Sequence, residues 1–312
     1  MKILVTGGAG YIGSLLCEFL LNKGHKVTVL DTFLFSNNSL NSYMSNKKFQ
    51  VFQEDVRNID SLKKYLSNND VIIPLACLVG APLCNLKESE AIEVNYDSIR
   101  SLVDNLSKDQ YIIYPTTNSG YGIGKKDKFC TEETPLNPIS IYGKTKVNAE
   151  NYIANNFSNS TRLRLATVFG CSPRMRLDLL VNDFVYRATK DKFIVLFESN
   201  FKRNYIHIRD VCKAIVMSIE NQEKFSGETF NLGLSNANLS KLELCNLIKK
   251  HLPKFEIIES EIGQDVDKRD YIVSNEKIES RGFKPDYSID DGVLELIKLF
   301  RYLIPSESMR NF

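Results

Sequence analysis

Short apolar runs alternate with amphipathic stretches through the first half of the chain, the pattern of a parallel sheet covered by crossover helices. Ile3-Leu4-Val5 reads as the first strand. After the glycines that follow, Ile12, Leu15, Leu16, Phe19 and Leu20 recur at helical spacing, and Gly24 after Lys23 marks a left-handed end to that helix. Further strands are predicted over Val27 to Leu30, Phe49 to Phe52, Val71 to Leu75, Tyr111 to Tyr114 and Leu163 to Val168, with helical stretches between several of them. The expectation is an α/β fold built on a doubly wound parallel sheet. Ser36 to Asn46 is rich in Ser and Asn but carries Leu40, Tyr43 and Met44, and reads as a loop with a helical turn.

Beyond Gly170 the alternation fades, and Arg174, Arg176, Arg187 and Arg203 appear among shorter, mixed elements. The expected division is a nucleotide-binding domain over 1–169, completed by part of 204–233, and a smaller, mainly substrate-binding part over 170–312. No internal repeat and no Pro-, Gly- or Ser-rich linker separates them, so they are expected to pack with a cleft between.

Composition narrows the classes. A chain of 312 residues, 43% hydrophobic, buries a large core, and a formal charge of +2 is too small for a phosphate-backbone or membrane-surface binder. Seven cysteines, odd in number and without a C-x-x-C pair, fit a reduced cytoplasmic setting, and no metal site is expected. The Met1 to Thr6 run leads straight into a glycine turn, leaving no room for a signal peptide. The most apolar stretch, Val71 to Cys84, is interrupted by Pro74, Gly80 and Pro82 and is shorter than the roughly 20 residues that span a bilayer, so neither nucleic acid nor membrane is an expected partner.

Thr6-Gly7-Gly8-Ala9-Gly10-Tyr11-Ile12-Gly13 lies between a predicted strand and helix. There Gly7, Gly10 and Gly13 permit a sharp turn and let backbone N–H groups of the turn, Tyr11 and Ile12 included, approach a pyrophosphate at the helix N-terminus, the Rossmann arrangement. Asp31 closes the second strand, about 20 residues on, where a carboxylate accepts hydrogen bonds from an adenosine ribose and repels a 2′-phosphate. The expected cofactor is therefore NAD rather than NADP. Asp55-Val56 follows the third strand and is placed against the adenine, although a plain turn is nearly as good a reading.

Tyr142 and Lys146 are four residues apart, on one face if the segment from Ile141 to Ile153 is helical. Moving a phenol from near 10 by about three units toward neutrality takes roughly 4 kcal/mol of preferential phenolate stabilisation. An adjacent ammonium and an oxidised nicotinamide ring are suited to supply it. Thr117, at a strand end, can orient an alcohol but is too weak an acid to serve as the base.

These features resemble, in order and along nearly the whole chain, the extended short-chain dehydrogenases that act on nucleotide sugars. The matching residues are Gly7/Gly10/Gly13, Asp31, Asp55-Val56, the Leu75-Ala76 strand end, Asn95, Thr116-Thr117 before Tyr121-Gly122, Tyr142/Lys146, and Arg203 to His207 leading into Asp210-Val211. The resemblance implies that Thr117 hydrogen-bonds the reacting sugar hydroxyl with Asn118 beside it, that Tyr142 takes its proton, and that Lys146 also holds the nicotinamide ribose. It further implies that Arg203 binds the substrate pyrophosphate, with Arg269, Arg174 and Arg176 as further substrate candidates, and that the chain forms a homo-oligomer. The dimer face is then expected around Ala91 to Leu106 and Tyr142 to Phe157, with Ile92, Tyr96, Ile99 and Val103 as an apolar stripe. His207, Cys84 and Cys171 read as packing residues.

Dehydratases of that family carry Thr-Asp-Glu where this chain has Thr117-Asn118-Ser119. Asn is no acid, and Ser cannot readily take a proton from carbon near neutral pH, so dehydration is disfavoured. Pro74 and Thr167 replace the His and Asn of many relatives. The runs Leu78 to Cys84, Thr117 to Gly124 and Pro173 to Asp178 resemble bacterial GDP-heptose 4-dehydrogenases of capsule-sugar pathways. The expected activity is NAD-dependent oxidation of a nucleotide-linked sugar at C4. A 4-epimerase using the same residues is the nearest alternative, and a regulatory NAD-binding protein is a more distant one.

Overall fold

Strands in the middle of a sheet covered on both faces have no solvent side, so their side chains must be apolar or fully paired. The computed structural model describes residues 1–35, 38–125, 127–260 and 269–311. From the N-terminus run β1 (Lys2–Thr6), α1 (Tyr11–Asn22), β2 (Lys26–Asp31), β3 (Phe49–Gln53), α2 (Ile59–Leu66) and β4 (Val71–Pro74). Next come α3 (Ala81–Leu86), α4 (Glu88–Ile92), a π-helical turn over Glu93–Asp97, α5 (Ser98–Asp104) and β5 (Tyr111–Thr117). A 3-10 turn at Asn118–Tyr121, β6 (Phe129–Cys130), α6 (Ile141–Asn156) and β7 (Ser160–Leu165) follow. β1, β2, β3, β4, β5 and β7 pair in parallel, and every residue of β4, β5 and β7 is buried, whereas β3 at the sheet edge is mostly solvated.

The predicted strand over Leu163 to Val168 is in fact two. β7 begins earlier, at Ser160, and the chain leaves the sheet at Ala166, whose N–H donates to Leu232 O at 2.9 Å. β8 (Thr167–Phe169) then joins another sheet. The early start is hidden in the sequence because Arg162 and Arg164 look like surface residues. Both are buried and paired: Arg162 donates to Ser160, Thr229 and Gly227, and Arg164 to Glu150, Tyr121 and Glu132.

The remaining elements are α7 (Leu180–Lys190), β9 (Phe193–Leu196), β10 (Lys202–His207), α8 (Ile208–Glu220), α9 (Gln222–Phe225), β11 (Thr229–Leu232), β12 (Asn238–Ser240), α10 (Lys241–His251), β13 (Glu256–Glu259), β14 (Ile272–Val273), α11 (Glu276–Ser280) and α12 (Ile289–Phe300). β11 returns to the main sheet beside β7, as its seventh strand, and α8 packs against α1. Small sheets β12-β10-β8, β13-β9 and β14-β6 form the rest. No helix among the described residues is long and apolar enough to cross a membrane.

Two local expectations are refined. Asn41–Tyr43 forms the helical turn expected between Ser36 and Asn46, of which Ser36 and Asn37 lie outside the described residues. In the stripe expected to cover a partner subunit, Ile99 and Val103 are buried against the sheet with Leu102 and Ile112, because that face of α5 packs on its own core; Ile92 is exposed. His207 is structural: it is buried, stacked on Tyr287, and its Nε2 lies 2.9 Å from Glu295.

Among the ties between the glycine-turn helix and the later half of the chain is the Tyr11 phenol. Tyr11 donates to Gly170 O at 2.7 Å and accepts from Asn182 Nδ2 at 3.3 Å, and Asn182 Oδ1 in turn accepts from Gly170 N. Tyr11→Phe keeps the packing but strands a buried carbonyl and an amide donor, so we expect a loss of about 1–3 kcal/mol in urea unfolding with unchanged secondary structure. Stability equal to wild type would show that this link contributes nothing.

Candidate active site

The glycine turn is shaped by backbone crowding. Gly7 has φ +70, and a Cβ on it would sit 2.5 Å from Ala76 N; one on Gly13 would sit 2.6 Å from Gly7 O. Only glycine fits at either place. The turn therefore nests against the end of β4, and a cleft of about 870 Å³ opens beside it. Gly7, Gly10, Tyr11, Ile12 and Gly13 line it, as do Asp31, Asp55, Val56, Leu75 and Ala76.

Asp31, at the end of β2, accepts backbone hydrogen bonds from Ala9 at 2.9 Å and Phe33 at 2.8 Å, so it braces the turn as well as facing the cleft. Burial raises its carboxyl above the usual range, and those N–H groups and Arg174 oppose the rise. Asp55 is held by Arg57 at 2.6 Å, which keeps it low and ties it into a surface pair. A Cβ-free cradle, a carboxylate at the second strand end and apolar walls at Leu75 and Ala76 together fit a dinucleotide.

The candidate catalytic residues lie where β5 ends and α6 begins. Ser140 caps α6 through its contact with Gly143 N at 3.1 Å, which sets Tyr142 in the first turn. Thr117, the last residue of β5, and Tyr142 line the same cleft. Burial pushes the phenol up, with Cys77 and Cys84 adding to the rise, while Arg269 and Thr117 hold it down. Lys146 lies one turn further on, buried, with Nζ 4.0 Å from the centre of the Tyr114 ring. Burial disfavours its charge, and Cys77 and Glu150 support it.

Substrate-side expectations divide. Arg203, on β10, and Arg269 both line the cleft. Arg269 Nη1 donates to Ser119 Oγ, and Thr117 Oγ1 donates to the same oxygen at 2.9 Å, so Arg269 reaches the end of β5 beside Thr117. Of the segment Asp267 to Asp270 that carries it, Asp267 and Lys268 lie outside the described residues. Arg176 lines the cleft but is engaged by Asp178 at 2.5 Å. Arg174 is on the Asp31 side: it lies over the Phe35 ring at 4.8 Å and donates to Asn311 at 2.7 Å. Burial and the neighbouring Arg176 push its guanidinium down to about 10. Asn118 opens the 3-10 turn after β5, is buried, and is not among the residues lining the cleft.

Sequence reasoning missed several residues that complete the walls. Cys77 lines the cleft, and its thiol, like that of Cys84, donates to Leu78 O, at 3.3 and 3.2 Å respectively. Asn95, in the π turn, clamps both backbone groups of Leu78 at 2.8 and 3.0 Å and reaches Thr145 on α6. Phe35 and Asn311 also face the cleft. No spacing signal marks Cys77, Phe35 or Asn311, which come from separate segments, whereas Asn95 is among the residues of the family resemblance and braces Leu78 behind the wall.

The sequence profile of the NAD dependent epimerase/dehydratase family matches residues 3–233. The low-salt glycan biosynthesis protein Agl12 of Haloferax volcanii is 27% identical, over 94% of this chain and 96% of that one. The uncharacterized UDP-glucose epimerase YtcB of Bacillus subtilis is 30% identical, over 80% of this chain and 81% of that one. Among solved structures, UDP-glucuronic acid 4-epimerase from Bacillus cereus, in complex with UDP-glucuronic acid and NAD, superposes with a TM-score of 0.83 at 26% identity, covering 96% of this chain and 99% of that one. The chain belongs to the NAD-dependent epimerase/dehydratase family, and its cofactor is NAD.

Asp31→Asn removes the charge that repels a 2′-phosphate while keeping an acceptor for Ala9 or Phe33. We expect the ratio of NADP to NAD dissociation constants, read by calorimetry, to fall by about tenfold. An unchanged ratio would assign the preference to another group.

Proposed function

We propose that this family member oxidises the C4 hydroxyl of a nucleotide-linked sugar to the 4-keto sugar, with a GDP-heptose of bacterial capsule or surface polysaccharide synthesis as substrate. The observation that carries the reaction is that Thr117, Tyr142 and Lys146 line the same cleft as the glycine cradle. Thr117 orients the sugar hydroxyl, and Tyr142 accepts its proton. Lys146, one turn along α6, supplies positive charge to the phenolate and holds the nicotinamide ribose. NAD, when bound, supplies the hydride acceptor.

The same reading gives the other residues their work. Backbone N–H groups from Gly7 to Gly13 hold the cofactor pyrophosphate, with Asp31 on the adenosine ribose, Asp55 and Val56 by the adenine, and Leu75 and Ala76 along the wall. Arg203 grips the substrate pyrophosphate, since a guanidinium offers paired donors to phosphate. Arg269, fixed on Ser119, faces the sugar. The GDP-heptose assignment rests on the runs Leu78 to Cys84, Thr117 to Gly124 and Pro173 to Asp178; UDP-sugars, which the relatives' names carry, are the competing substrates. We also take residues 1–169 with β11 as the cofactor-binding part and the remainder of 170–312 as the substrate-binding part, in a homo-oligomer joined across the outer faces of α5 and α6.

A 4-epimerase is the second reading, favoured by relatives named as UDP-glucose 4-epimerases, among them one from Lactobacillus helveticus at 27% identity. It uses the same three residues and differs in ending without net redox change. Elimination of water is not supported: Asn118 is enclosed, and Ser119 Oγ already accepts from Arg269 and Thr117.

Tyr142→Phe removes the proton acceptor and leaves the ring packing in place, so turnover is expected to drop by about 10²-fold or more with NAD affinity preserved. Near-normal turnover would overturn the assignment of the base. With NAD and a panel of GDP- and UDP-sugars, trapping the product with borodeuteride is expected to put deuterium at C4 on a sugar that keeps its C6 oxygen. A C6-deoxy product would refute the argument from Asn118 and Ser119; an inverted C4 hydroxyl formed without reduced cofactor would establish the epimerase.

A further inference from the structure

Tyr142, Lys146 and Glu150 stand four residues apart on α6 and so share one face, about 6 Å from one to the next. Lys146 is 5% and Glu150 3% exposed, so an ammonium and a carboxylate are stacked inside the protein beneath the phenol. A buried carboxylate needs a reason to stay charged. Part of it is Arg164 on β7, which donates Nε and Nη2 to Glu150 Oε1 at 2.9 and 2.7 Å. Both donors converge on that one oxygen. Oε2 is enclosed and has no hydrogen-bond partner among the described residues.

The spare oxygen matters for what lies one turn above. Lys146 Nζ rests over the Tyr114 ring, a contact that favours a cation but supplies no countercharge. Among the groups acting on Lys146, the Cys77 thiol and the Glu150 carboxylate support its charge against burial, and Glu150 is the one of the two that is ion-paired, to Arg164. We propose that Glu150 is a positioning residue that keeps Lys146 charged and thereby sets the pH range in which Tyr142 works as a base. The inference rests on the reading of Tyr142 as that base.

The surroundings are mixed, so the sign has to follow from all of them. Cys77 and Cys84 face the phenol from the segment after β4, Arg269 faces it from across the cleft, and Tyr114 on β5 faces Lys146. Arg164 and Arg162 on β7 act on Glu150 from the far side, and Tyr121 touches Arg164. Replacing the carboxylate by an amide leaves Lys146 without the support of Glu150 against burial. Its ammonium is then less favoured, the phenolate above it is stabilised less, and deprotonation of Tyr142 moves to higher pH.

Glu150→Gln is expected to shift the rising limb of kcat against pH to the alkaline side by about one unit, an approximately tenfold loss below the limb. The same variant is expected to lower the midpoint at which the ¹³Cε resonance of Lys146 titrates in lysine-labelled protein. Because E150Q leaves Arg164 buried without its carboxylate, the pair is also removed together as Glu150→Gln with Arg164→Met. That double variant is expected to recover thermal stability yet retain both shifts. A role confined to bracing α6 on the sheet predicts the reverse, with stability altered and both pH midpoints at their wild-type positions in the single and double variants alike. That result overturns the inference. Tyr142→Phe run in parallel separates the two claims: if it is inactive while the Glu150 variants titrate like wild type, the base stands and the inference fails; if it turns over normally, the base assignment itself fails.

Discussion

The Gly7 backbone packs directly against the backbone of Ala76, and the cleft opens beside that contact. A side chain on Gly7 would lie within 2.5 Å of Ala76 N, so β1 and β4 can end side by side only with glycine there. Gly7 N also donates to Leu30 O at 2.8 Å, which pins the turn to the end of β2. Three neighbouring strands thus finish at one level, and their successors diverge, β2 outward to β3 and β4 inward to β5. Ligands of doubly wound sheets lie at such a divergence. Asp31, Cys77 and Thr117 reach one cleft because each sits at or just past the end of a strand in this row.

The price of this arrangement is a polar interior behind the site. α6 must carry Tyr142 and Lys146 against β5 and β7, and a lysine facing a sheet is not accommodated by apolar packing alone. The neighbouring strand answers with Arg164, the helix with Glu150, and Tyr121, Asn231 and Glu132 complete the hydrogen bonding around them. Breaking such a buried pair from one side leaves an uncompensated charge and costs about 3–5 kcal/mol, whereas removing both partners is often tolerated. The same stretch of α6 that serves the site is therefore the stretch least free to vary singly.

Much of this was legible in the chain itself. The fully buried strands announce themselves as apolar runs, Gly24 at φ +80 ends α1 where its position predicts, and Thr117, Tyr142 and Lys146 all line one cleft. What stayed hidden has physical causes. Arg162 and Arg164 masked the start of β7 because charge in a sequence reads as surface until its partner is known. Asn118 was read as facing substrate beside Thr117; the chain turns immediately after β5, and that residue is buried outside the cleft lining. Cys77, Phe35 and Asn311 come from three separate segments, and only folding brings them to one cleft. Glu150 was the exception: its spacing from Lys146 was visible, but its depth and its partner were not.

The π turn at Glu93–Asp97 holds one residue more than the α-helix around it needs. Deleting a residue there would restore regular winding, but it would rotate everything downstream by about 100° and swing Ile99 and Val103 off the sheet. Leaving it in place lets Asn95 point at Leu78 while Ile99 and Val103 still point at the core. An irregularity that serves two faces of one helix at once resists removal from either side. Length variation among descendants of this chain should therefore collect in its loops and spare these five residues.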